Sequence, residues 1–125
     1  MESTFQIFSS DDVAVNFKLK WIKYSPAVEK ELQEPKIQFE ITAVHLGSII
    51  TWLEIQDEVD YRAREEDLYN NYEDLKGFHK AADLLKISKL ADKLLTRRLS
   101  RVQQRLSHAE EEFEKLTSED REPSK

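Results

Sequence analysis

The chain of 125 residues is 39% hydrophobic and 35% charged, with a formal net charge of −6 and no cysteine. That length accommodates one domain with a modest core, and the lack of cysteine excludes a disulfide framework, a thiol nucleophile and a thiolate metal site. A net acidic chain is a poor general binder of nucleic acid, whose phosphates need clustered Lys and Arg.

In chain order, "FQIF" leads into the polar turn Ser9-Ser10-Asp11-Asp12, after which Val13, Val15, Phe17 and Leu19 alternate with polar or small residues. A period of two predicts a hairpin that buries those four side chains on one face. Trp21, Ile22 and Tyr24 follow as a short turn that plugs the core. Ser25-Pro26 has the form of an N-cap with proline at the first helical position, and Val28 and Leu32 lie one turn apart behind it. Beyond Pro35, the alternation of Ile37, Phe39 and Ile41 predicts a third strand. Thr42 then caps a helix carrying Leu46, Ile49, Ile50 and Leu53 on one face. "QDEVDYRAREED", Gln56 to Asp67, has no clear period and many charges, and reads as an exposed connection with at most some helix. Helix resumes near Tyr72 and continues through Leu75, Phe78, Ala82 and Leu85, and Ile87 and Leu90 open the last helix. The expected core is Phe5, Val13, Val15, Phe17, Ile37, Phe39, Ile49, Leu53, Phe78 and Leu85. The fold class is α+β: a small three-stranded sheet, a helical cluster and a long C-terminal helix.

That last helix carries the strongest signal. Leu95, Leu99, Val102, Leu106, Ala109, Phe113 and Leu116 are spaced alternately by four and three, the signature of a heptad seam. Its first half holds Arg97, Arg98, Arg101 and Arg105, and its second half Glu110, Glu111, Glu112 and Glu114. Cations near the start and carboxylates near the end oppose the helix macrodipole, so the segment gains by meeting opposite charge elsewhere. A seam folded back onto the domain's own core is the plainer reading. The favoured one is a surface for another chain, with Arg98, Arg105 and Glu112 flanking the seam and setting orientation. "TSEDREPSK" beyond it reads as a disordered tail.

Nothing argues for catalysis or for a bound cofactor. His79 and Asp83 lie one helical turn apart, but a metal needs three or four converging ligands. With Gly47 and Gly77 as the only glycines, no phosphate-cradling loop is available. No run approaches the roughly 20 apolar residues that span a membrane, and "MESTFQIFSSDD" lacks the basic-then-apolar layout of a signal peptide. The expected location is cytoplasmic, nuclear or both, with proteins as partners and neither nucleic acid nor membrane.

Four stretches resemble the Skp family of adaptors and its relative elongin C, which share a BTB/POZ-type fold. "FQIFSSDDVAVNF" is similar to the family's opening hairpin and "KYSPAVEKELQE" to the helix after it. "TAVHLGSIITWLE" is similar to a helix with Trp near its end, and "KAADLLKISKLADKLLTRRLSRV" to the family's Ala-Ala-Asn-Tyr-Leu-Asp-Ile-Lys helix pair. The likeness covers roughly Thr4 to Val102. It implies a Skp-like BTB/POZ domain over residues 1–102, a helical extension over 103–116 and the tail over 117–125. It also implies an adaptor that bridges a cullin scaffold and an F-box-like or other helical receptor. Carried over by position, the cullin-facing Asn-Tyr pair falls on Asp83 and Leu84, the following Asp on Lys86, and the junction Gly on Lys89. An acidic and an aliphatic side chain cannot reproduce an amide and a phenol at an interface centre, so weak or absent cullin binding is expected. The reading is a non-enzymatic adaptor that binds partners through its body and its C-terminal helix. A working cullin-ligase adaptor and a structural subunit self-associating by coiled coil are the alternatives.

Overall fold

The computed structural model describes residues 3–121, with side chains as far as Lys115. Strands β1 (Thr4–Phe8) and β2 (Ala14–Lys18) pair antiparallel, with Phe5 opposite Phe17 and Ile7 opposite Val15. Ile7 and Phe17 are buried, and Phe5 and Val15 pack against the core at its edge. Val13 and Leu19, expected on the buried face, are 45% and 48% exposed. Alternation acts only within the ladder, and here Val13 belongs to the turn while Leu19 opens a 3-10 helix (Leu19–Tyr24) that buries Trp21.

The sheet has two strands rather than the expected three. The segment from Ile37 to Ile41 does run beside β1 in parallel, but through a single bridge between Phe8 and Gln38. Its bonds are Phe8 N–H to Ile37 O at 2.8 Å, Phe39 N–H to Phe8 O at 3.1 Å and Ser10 N–H to Ile41 O at 2.8 Å. These bonds fall on Phe8, the last residue of β1, and on Ser10 in the turn beyond it, so the segment meets only the end of the strand and the ladder cannot lengthen. Ile37 and Ile41 are buried there, while Phe39 is only partly so.

Among the described residues five α-helices follow the hairpin and the 3-10 helix: α1 (Pro26–Glu31), α2 (Ala43–Gln56), α3 (Tyr61–Asn71), α4 (Leu75–Leu84) and α5 (Ser88–Arg121). Ser25 caps α1 as expected, its hydroxyl accepting the Val28 N–H at 3.3 Å and donating to the Leu85 carbonyl. Thr42 sits at the N-cap position of α2 but makes no side-chain cap bond. The turn residue Asp11 takes that part, accepting the Ala43 N–H at 3.0 Å and tying the hairpin to α2.

Leu46, Ile49, Trp52 and Leu53 of α2, Phe78, Ala81 and Ala82 of α4, and Leu90 and Leu94 of α5 close one core with Phe17, Trp21 and Val28. Within the stretch expected as an exposed connection, α3 is a helix from Tyr61. Its core-facing positions include Glu65 and Tyr69, both buried, so its inner face is polar and gives no apolar period. α4 ends in a Schellman motif, with Ile87 N–H donating to Ala82 O and Lys86 N–H to Asp83 O, each at 3.0 Å. The left-handed residue there is Lys86, with φ 57°.

The expected tail is helical from Thr117 to Arg121, since no Gly or Pro occurs before Pro123 to stop the helix. Residues 122–125 lie outside the described residues.

Candidate interaction surface

α5 carries two apolar stripes. Leu90, Ala91 and Leu94 are buried against the body, and Arg97, Arg98 and Arg101 continue that face half-buried. The seam lies about a quarter turn around the helix from this stripe, at 100° per residue. Leu95, Leu99, Val102 and Leu106 are 44%, 55%, 46% and 59% exposed, Ala109 is exposed, and Phe113 is 70% exposed. The Leu116 side chain lies outside the described residues. Within a single copy the body therefore covers a different face from the seam.

The flanking arginines divide into two groups. Arg97 pairs with Glu66, donates to Asn70 Oδ1 at 3.1 Å and stacks over the Tyr69 ring. Arg101 donates to the carbonyls of Tyr69 at 3.1 Å and Tyr72 at 2.8 Å, which covers the C-terminal end of α3. These two bind α5 to its own body. Arg98 meets His79 Nδ1 at 2.7 Å, and Arg105 is exposed beyond it. Between the start of α4 and α5 lies a cleft of ≈ 250 Å³. One wall is Glu73, Asp74, Leu75 and Lys76; the other is Arg98, Arg101, Arg105 and the seam residue Val102. Four cations there face two carboxylates. Glu112, a helical turn from His108, pairs with it at 3.0 Å.

Asp83 and Leu84 sit together on the outer face of α4. Asp83 is exposed and lies 3.5 Å from His79 Nε2, and Leu84 is 40% exposed. Of the two junction lysines, Lys86 takes the left-handed backbone and Lys89 is already in the first turn of α5.

Two polar clusters were not legible in the sequence. In the first, Glu65, 3% exposed, accepts from Trp52 Nε1 at 2.9 Å, Gln56 Nε2 at 2.8 Å, Tyr69 Oη at 3.3 Å and Lys93 Nζ at 2.8 Å. Burial pushes the Glu65 carboxyl up, but the Lys93 ammonium, the Gln56 amide and the Trp52 indole outweigh it and hold the group below its ordinary 4.5. Burial pushes the Tyr69 hydroxyl upward, and the Glu65 charge adds to the effect. The cluster joins α2, α3 and α5.

The second is a chain on α2 and the α4 entry. Ser48 Oγ donates to Tyr72 Oη at 2.8 Å, Tyr72 Oη meets His45 Nδ1 at 2.8 Å, and His45 Nε2 lies 3.1 Å from Asp74. Gly77 lies against it, and a Cβ there would overlap Asp74 and the His45 ring, so that one or both side chains would have to shift.

Among the described residues no group of three His, Asp or Glu side chains could hold a metal ion, and no helix is long and apolar enough to cross a membrane. No family model matches the chain, and comparison with curated proteins finds no match.

Proposed function

We propose that the chain is a non-enzymatic adaptor with a Skp-like BTB/POZ body, in which the seam of α5 is the main docking surface for another protein. The observation that carries this reading is the exposure of Leu95, Leu99, Val102 and Leu106 in one line on a helix already anchored by another face. An exposed apolar stripe of that length has a solvation cost that only a covering surface removes. The parallel run of Ile37–Ile41 beside β1 supports the BTB-like arrangement, with that segment standing where a third strand would be. The intracellular location read from the sequence accompanies this function.

Cullin recruitment is not part of the proposal. Asp83 and Leu84 offer a carboxylate and an aliphatic side chain where the resembled family offers an amide and a phenol, and aromatic anchors carry much of such interfaces. A purified cullin N-terminal fragment that binds with sub-micromolar affinity, and loses it on Asp83→Ala, would reverse that conclusion.

The adaptor reading is tested by affinity capture from native extract with the wild-type chain and with the Leu99→Asp/Leu106→Asp variant. Partners held by the seam are lost from the variant while its circular dichroism and thermal transition stay near wild type. Retention of every partner by a folded double variant places docking elsewhere. Outright unfolding would assign the seam to the protein's own core.

A further inference from the structure

We infer that the seam takes a second copy of this chain in antiparallel orientation, with Phe113 of each copy seated against Val102 of the other beside the α4–α5 cleft. This rests on the seam being a docking surface and names its occupant. In the heptad of α5, Leu99, Leu106 and Phe113 occupy one core position and Leu95, Val102 and Ala109 the other. Antiparallel helices pair these two kinds of position. The register that sets Leu106 against Ala109 also sets Val102 against Phe113. In it Arg105, beside the seam on the cleft side, faces Glu112 of the other copy, and the twofold axis repeats the pair.

Charge selects that register. Shifting the helices by one heptad in one sense brings Arg105 against Arg105, and in the other sense Glu112 against Glu112. Only the middle register leaves no like pair beside the seam. Of the acidic half, Glu112 is the carboxylate that this register brings to the cleft side of the other copy. There the four cations Lys76, Arg98, Arg101 and Arg105 share the cleft with two carboxylates, Glu73 and Asp74, and Asp74 is already engaged by His45 and the Gly77 N–H.

A straight helix cannot fold its own acidic half onto its basic half, whereas a second copy reversed end for end does so twice. From Leu95 to Arg121 the helix extends for about 39 Å at 1.5 Å per residue. The two bodies thus sit at opposite ends and do not compete for space. Three heptads make a weak, concentration-dependent dimer, with Kd of about micromolar or above.

The test is sedimentation equilibrium of the full chain from about 1 µM to 1 mM at low salt, where exposed pairs are least screened. The wild type is expected to dimerise reversibly. Arg105→Glu and Glu112→Arg should each weaken the dimer by about tenfold, since both symmetric pairs turn repulsive. The Arg105→Glu/Glu112→Arg chain should recover it, and an equimolar mixture of the two single variants should form heterodimers. Both substituted positions are exposed on the helix, so circular dichroism should be unchanged. A wild type that stays monomeric at 1 mM overturns the inference. So does a loss on Arg105→Glu that Glu112→Arg neither produces nor repairs, which marks a parallel pair with Arg105 against Glu110.

The two readings fail separately. A monomer that still loses captured partners on Leu99→Asp/Leu106→Asp keeps the adaptor and removes the second copy. A dimer that captures nothing else keeps the second copy and removes the adaptor.

Discussion

The two halves of α5 use the same kinds of residue for opposite ends. Up to Arg101 the helix is part of the body: Leu90 and Leu94 are fully buried, and Arg97 and Arg101 bind groups on α3. From Val102 onward the same heptad continues with every described side chain exposed. Apolar spacing alone does not distinguish the halves, because a stripe that meets the body and a stripe that meets another chain have the same period. What separates them is angular position. The body-facing stripe ends at Arg101, and the seam, a quarter turn away, begins at Leu95 before the first stripe is finished. For seven residues the helix is held on one face and open on another, so its direction is fixed by the body.

The largest expected effect tests that division. Leu94→Ala should destabilise the monomer by about 2–5 kcal/mol, as for buried leucines generally, because Leu94 is 0% exposed. Leu106→Ala, at 59% exposure, should change monomer stability by less than about 0.5 kcal/mol. Urea unfolding at a concentration where the chain is monomeric measures both. Equal costs would mean that the seam is packed within one copy and would dissolve the comparison.

A second effect comes from the point where α5 meets α2 and α3. Glu65→Ala removes the acceptor of the Trp52 indole and the Gln56 amide and leaves Lys93 without its carboxylate. The expected loss is about 2–4 kcal/mol. The pH dependence has a definite sign. The Glu65 carboxyl is held below its ordinary 4.5 in the folded chain, so its contribution is full above that value. It is lost as pH falls through the lower folded value. Wild type should lose stability on acidification below about pH 4.5 more steeply than Glu65→Ala. Parallel acid limbs in the two chains would show that Glu65 gains nothing from ionisation in the fold.

Much of this body is readable from residue order, for identifiable reasons. Ser25-Pro26 marks the start of α1, and Leu46, Ile49 and Leu53 mark the inner face of α2, because one apolar face opposes solvent along each. The reading fails where the inward group is polar. Glu65 and Tyr69 face inward from α3, where Glu65 accepts hydrogen bonds from Trp52 and Lys93, partners 13 and 28 residues away, and from Tyr69, and no local pattern encodes such distant donors. It fails again at the Ile37–Ile41 segment, whose alternation is that of a strand while β1 ends at Phe8, where the one bridge forms. At the candidate surface, the exposed line from Leu95 to Phe113 follows the spacing legible in the sequence. The division of the arginines is not, since the carbonyls that Arg101 meets are exposed only by where α3 ends.

Arg101 gives the third test. Arg101→Ala should cost about 1–2 kcal/mol, through the carbonyls of Tyr69 and Tyr72 left without their charged donor. Arg105→Ala should cost the monomer almost nothing. Thermal unfolding at low concentration reads both. If Arg105→Ala proves the more destabilising of the two, Arg105 belongs to the body-bound group, and the boundary at Val102 moves outward.

The smallest expected effect concerns the residue from which α5 takes its direction. Lys86, between α4 and α5, holds φ at 57°, where a Cβ crowds the following carbonyl and a non-glycine residue costs about 1 kcal/mol. The surrounding bonds leave it no alternative, because Ile87 must reach Ala82 and Ile87 itself is fully buried. Lys86→Gly relieves the crowding but gives the unfolded chain more freedom. The net expectation is a stabilisation of about 0.5 kcal/mol, seen as a higher urea midpoint with an unchanged slope. Because the substitution acts on the joint and not on the seam, self-association should be unaltered. Destabilisation by Lys86→Gly would mean that the lysine side chain contributes a contact worth more than the crowding it imposes. A changed association constant would mean that the joint's angle, as well as the seam, helps present α5 to its partner.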